Sequence, residues 1–181
     1  MQRLLVWLIV LVPVFYYVAL IGGSLTWPAY SHVTQYASEL GSAAAPYPDI
    51  FNYNIVAGGI AAIGGGLGLY LALHRLSGRS VLPFLAGLTL TLWGAAMVMG
   101  GWFPMPDDRH GGYALGMAGQ LTPLLVLLSL WNVPDTKALR ILCAVIFVIS
   151  GGLFAIMMGV GELVTRANVG LWQRANSFFG I

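Results

Sequence analysis

The sequence predicts an all-α fold, a polytopic transmembrane helix bundle, and three observations carry that prediction. Hydrophobic residues make up 59% of the 181-residue chain and charged residues only 8%, where a soluble domain carries about a quarter charged residues. Apolar runs close to the ~20 residues that cross a ~30 Å hydrocarbon core recur along the chain. Strand-type alternation is absent, so backbone amides inside lipid would be satisfied within helices. A mean hydropathy of +0.84 fits the same class. No polar stretch is long enough for a separate soluble domain, so one bundle spans residues 1–181. The net charge of +2 is small and scattered, which argues against nucleic acid as a partner. The single Cys143 lies in an apolar run, which leaves neither a disulfide framework nor a cysteine metal site.

Five full spans are expected, at about 4–23, 50–74, 81–103, 113–131 and 141–163. The first follows Arg3, reads as an anchor rather than a cleaved leader, and holds Pro13 as a kink point. Between the first two spans, residues 31–41 (SHVTQYASELG) read as a surface helix. Ser31 suits its N-cap, Gly41 suits its end, and Val33, Tyr36, Ala37 and Leu40 form an apolar stripe opposite His32, Gln35 and Glu39. The second span is rich in small residues four apart: Gly58 and Ala62, Ala61 and Gly65, Gly64 and Gly68. Such spacing lets a neighbouring helix approach closely, so this span should be central. In the fourth span Pro123 should introduce a kink and Gln120 needs a polar partner. In the fifth, Gly151 and Gly152 read as a close-packing point, and Glu162 stands four residues before Arg166, the favourable helical order for an ion pair. The last residues form a short C-terminal helix or an incomplete sixth span.

Short-loop charge sets the expected orientation. With the amino terminus cytoplasmic, Arg3, Arg75, Arg79, Lys137 and Arg140 fall inside and Arg109, Arg166 and Arg174 outside, a moderate positive-inside bias. Glu39, Asp49, Asp107, Asp108, Glu162, His32 and His110 then share the external face, as for a protein of the inner membrane.

The chemistry concentrates in Phe103–Gly112 (FPMPDDRHGG), a turn that brings two carboxylates, a guanidinium and an imidazole between apolar segments. Asp107 or Asp108 with His110 is a candidate acid/base pair, and Glu39 a second acid/base group. The same types suit a divalent metal, with His32, Glu39, Asp107 and His110 as its ligands. Spacing alone is a weak signal, because no HExxH or CxxC pattern is present. The plainer alternative is a solvated turn in which Asp and Arg end two helices. Arg109 or Arg174 would anchor an anionic head group.

The pieces ASELG at Ala37–Gly41, DIFNYN at Asp49–Asn54, WFPMPDDRHGG at Trp102–Gly112 and GLWQR at Gly170–Arg174, in that order over nearly the whole chain, resemble the bacterial membrane family catalogued as domain of unknown function 998. The resemblance points to Ser38, Glu39, Asn52, Asp107, His110, Gln173 and Arg174 as site residues. It implies a six-helix type of membrane fold, in which a sixth span commonly follows the last motif, and no established activity.

The leading functional expectation is therefore a membrane-embedded hydrolase or transferase, or a ligand-binding protein. Its polar cluster would meet a lipid or isoprenoid-like amphipath, with Ser38, Asn52, Arg109, Gln173 and Arg174 as binding groups. A small proton-coupled transporter is one alternative, although no inverted repeat is evident. A non-catalytic scaffold or partner subunit is the other, with a homo-oligomer compatible with the small-residue face of the second span.

Overall fold

The computed structural model describes residues 2–180, and the side chains of these except Gln2 and Tyr113. Among the described residues there is no strand. Six α-helices run in order: α1 (Gln2–Leu25), α2 (Pro48–Ser77), α3 (Val81–Trp102), α4 (Thr122–Ser129), α5 (Lys137–Met157) and α6 (Val169–Gly180). Five segments are long and apolar enough to cross a membrane: α1, α2, α3, α5 and a composite of residues 108–129.

Helix α2 is central because its glycines admit a neighbour on each side. A Cβ at Gly65 would meet Ile9 at 2.8 Å, and one at Gly68 would meet the Leu5 backbone at 2.6 Å, so this face receives α1. The other face receives α3 through a repeat of seven that runs in opposite directions on the two helices. Gly94 meets the Gly59 carbonyl and Gly101 the Asn52 carbonyl, each at 2.7 Å from a Cβ, and Gly66 lies against Gly87. Backbones this close gain van der Waals contact where lipid gives helices no hydrophobic reason to associate.

Three expected elements differ from what forms. Residues 31–41 make no surface helix. Ser31 Oγ accepts from the Val33 and Thr34 amides, and the Glu39 carboxylate accepts from the Tyr36 amide at 2.8 Å. These local bonds compete with helical ones, so the segment is a turn followed by a 3-10 helix at Ala37–Gly41. The fourth span begins as a 3-10 helix, Asp108–Leu121, and becomes α-helical only in α4. Pro123 does not kink a helix there but opens one, in the first turn where its missing N–H has no partner to lose.

The fifth span, α5, starts earlier than expected and ends at Met157, followed by a turn with Gly159 at φ 99° and Gly161 at φ 78°. Glu162 sits in that turn, not four residues along a helix from Arg166, and among the described residues the only ion pair is Asp107 with Arg109. Gly151 and Gly152 are no packing point either: a Cβ at either would meet nothing within 4 Å.

The antiparallel order of the helices segregates charge between the two ends. Arg3 lies with Arg75 at one end, where Arg79 also donates to the Leu128 carbonyl at 3.0 Å. Arg140 caps the Trp131 carbonyl there. The opposite end carries the 26–47 connection, the 103–121 segment and the start of α6.

Candidate functional site

At that opposite end the three polar segments meet. The Ala37 amide donates to Gln173 Oε1 at 2.6 Å, and the Leu171 amide donates to the Val33 carbonyl at 3.1 Å, so α6 is docked on the first connection. Gly170 permits that docking, because any side chain there would run into the carbonyls of His32 and Gln35. Ser38 Oγ reaches Met105 Sδ at 3.2 Å and ties the same connection to the third segment. Asn52, at the start of α2, donates to the Gly41 carbonyl at 2.9 Å.

Arg174 holds the joint together. Its NH1 donates to the carbonyls of Gln35 at 2.9 Å and Gly170 at 2.8 Å, its Nε donates to His32 Nδ1 at 3.1 Å, and its NH2 donates to the Tyr30 hydroxyl. Tyr30 in turn donates to the Tyr36 carbonyl. Burial pushes the Tyr30 phenol up to about 12, against the opposing pull of Arg174. Burial first and Arg174 second hold His32 below the ordinary histidine value. Since Nε of Arg174 can only donate, His32 Nδ1 must keep its lone pair in this arrangement.

Beneath this joint lies a cavity of about 220 Å³, lined among others by Tyr16, Ser38, Trp93, His110, Gln173 and Ser177. Tyr16, from α1, is only 7% exposed. Its hydroxyl faces Ser177 without a hydrogen bond of good geometry. His110 Nδ1 lies 3.0 Å from the Phe103 carbonyl. A carbonyl only accepts, so Nδ1 carries the proton and Nε2 of the neutral ring keeps its lone pair. With Gln173 Oε1 engaged by Ala37, its amide nitrogen remains as a donor. The walls thus offer hydroxyl, amide and imidazole groups, with no Asp, Glu, Lys or Arg side chain among them.

The carboxylates go elsewhere. Asp107 accepts from the Arg109 amide, Nε and NH2 at 2.7–2.9 Å, and those Arg109 hydrogen bonds hold its carboxyl down at about 2. The Arg109 guanidinium lies 3.8 Å over the Phe103 ring. Asp108 is exposed. Glu39 accepts from Gln35 Nε2 at 2.9 Å and from the Tyr36 amide. Neither Asp107 nor Asp108 orients the His110 ring, whose proton goes to Phe103. Among the described residues no group of three or more His, Cys, Asp or Glu side chains is placed to hold a metal ion, so His32, Glu39, Asp107 and His110 do not converge as ligands. Arg174, committed to four protein acceptors, and Arg109, paired with Asp107, do not line the cavity as anion anchors.

Of the residues singled out from sequence, Ser38, His110 and Gln173 line the cavity, while Asn52, Glu39 and Arg174 build the frame around it. Tyr16, Trp93 and Ser177 are additional. Ser177 had a usable signal, since it lies four residues after Gln173 and shares its helical face. Tyr16, inside an apolar span, could face either the bundle or an interface on sequence alone, and Trp93 had no signal.

Fold and site together define a polytopic helical protein of the membrane type, with a polar cavity roofed at one end by its own connections. The chain belongs to the family described as protein of unknown function (DUF998), whose model matches residues 9–181. No curated protein and no solved structure matches it.

Proposed function

We propose that the protein binds a neutral, hydroxyl-bearing amphipath, with the head group in the 220 Å³ cavity. The observation that carries this reading is the Tyr16 hydroxyl, buried beside Ser177 without a hydrogen bond of good geometry, in a cavity that no Asp, Glu, Lys or Arg side chain lines. A buried polar group whose hydrogen bond is poorly formed costs free energy, and a ligand hydroxyl lowers that cost. Such a hydroxyl can accept from Tyr16 or Gln173 while it donates to His110 Nε2. An anionic head group would meet no uncommitted cation there.

Binding is favoured over hydrolysis or group transfer because no carboxylate faces the cavity beside His110. The charge distribution supports the orientation: Arg3, Arg75, Arg79, Lys137 and Arg140 on the cytoplasmic side, the cavity on the external side of an inner membrane.

The test is equilibrium binding to protein in phosphatidylcholine nanodiscs, comparing a long-chain alcohol with its phosphate ester. The alcohol should bind, and Tyr16→Phe should weaken it about tenfold, the equivalent of about 1.4 kcal/mol. Preference for the phosphate ester, or indifference to Tyr16→Phe, contradicts the proposal.

A further inference from the structure

A second and larger cavity, of about 520 Å³, lies between α1, α3, α4, α5 and the tip of α6. Its walls include Val12, Trp93, Val126, Ile146, Phe178 and Phe179. Trp93 also lines the polar cavity, and α6 passes along both, presenting Gln173 and Ser177 to the first and Phe178 and Phe179 to the second. The volume falls within the ~300–1,000 Å³ of small-molecule sites.

An empty space of this size forfeits dispersion contact along its walls. Water would find few partners there beyond Gln120 Oε1, which has no hydrogen bond, the walls being otherwise mostly apolar. From the wall that the two cavities share, we infer that the larger one holds the hydrocarbon chain of the same molecule whose hydroxyl sits in the smaller. This rests on the binding reading above and adds its substrate class: a single-chain alcohol of long-chain or isoprenoid type, with the chain threaded past Trp93 into the bundle. Because a bilayer is as apolar as the cavity, chain length alone should add little affinity. Steric filling of the cavity is therefore the informative change.

The experiment compares hexanol with octadecanol for binding to the full chain in phosphatidylcholine nanodiscs, in wild type and in Ile146→Trp, with Val126→Trp as a second filler from the facing helix. Thermal unfolding verifies that each variant is folded, and Ile146→Ala, which enlarges the space, replaces any filler that is not. Octadecanol binding should fall about tenfold in the fillers while hexanol binding stays unchanged, and Ile146→Ala should admit a branched chain that wild type rejects. If both alcohols bind and the variants leave their ratio untouched, the chain lies elsewhere and only this inference fails. If neither alcohol binds wild type, the binding reading falls and takes this one with it.

Discussion

The two halves of the molecule are packed by different rules. In the α1–α2–α3 half, glycines face backbone: Gly59 lies against Gly94, Gly66 against Gly87, and Gly68 against Leu5. In the α4–α5–α6 half, Gly151 and Gly152 of α5 face open space, Gly170 meets backbone only where α6 docks on the first connection, and the large cavity runs along α5. Burial follows the same division: ten residues of α2 are buried against two of α5. A small residue in a membrane helix signals close packing only when a partner backbone lies opposite. The polar cavity sits on the boundary between the halves, with Tyr16, Phe51 and Trp93 from the tight one and Gln173 and Ser177 from the loose one. A tightly packed wall facing a more open one is compatible with the binding reading proposed above.

The strongest way to break this contrast is a matched pair of substitutions. Gly94→Leu drives a side chain into the Gly59 carbonyl and should cost at least the ~1–3 kcal/mol of core overpacking. Gly152→Ala should instead be neutral or stabilising by up to about 1 kcal/mol, from helix propensity. Thermal unfolding in one detergent measures both, and equal losses would remove the distinction.

Next in size is Arg174→Ala, which abandons two carbonyls, His32 and Tyr30. Loss of hydrogen bonds from a charged group should cost about 2–3 kcal/mol. Faster amide exchange at Leu171, whose N–H is bonded to the Val33 carbonyl, would report release of α6. Arg174→Lys should restore little, because a point ammonium lacks the guanidinium fork. Tyr16→Phe sharpens the contrast differently. Without ligand it should change stability by less than about 1 kcal/mol, since the hydroxyl it removes has no hydrogen bond of good geometry, while ligand affinity falls.

The smallest expected effect is that of pH on the joint. His32 is held below the ordinary histidine value of about 6.5, so the unfolded chain binds its proton more readily than the folded one. The stability it contributes is present above that ordinary value and declines as pH falls below it, towards the depressed folded value. Protonation also removes the lone pair that Arg174 uses. A slight loss of stability on acidification, absent in His32→Gln, is the expected result in unfolding curves measured across that window. No change between the two proteins would leave the Arg174–His32 bond without a role.

The sequence made the spans legible because hydropathy over twenty residues is a summed property, little affected by any one neighbour. It also marked which polar segments belong to one end, since helix order alone decides that. The geometry within that end was not legible. Glu39 looked available for chemistry, yet the nearest amide, Tyr36, and the side chain of Gln35 take it. Asp107 stood three residues from His110, yet Arg109 claims it. In each case a partner two to four residues away prevailed over one across the fold. Tyr16 could be read only as facing the bundle or an interface, and Trp93 only as a span residue, because packing alone shows what they face.

The most direct test of the central claim is photocrosslinking in nanodiscs with a long-chain alcohol that carries a diazirine beside its hydroxyl, followed by mapping of the adducts. Adducts on Ser38, His110, Gln173 or Ser177, displaced by unlabelled alcohol, are the predicted result. Adducts spread along the exposed apolar side of α1, at Val14, Val18 and Ile21, and insensitive to competitor, would contradict it.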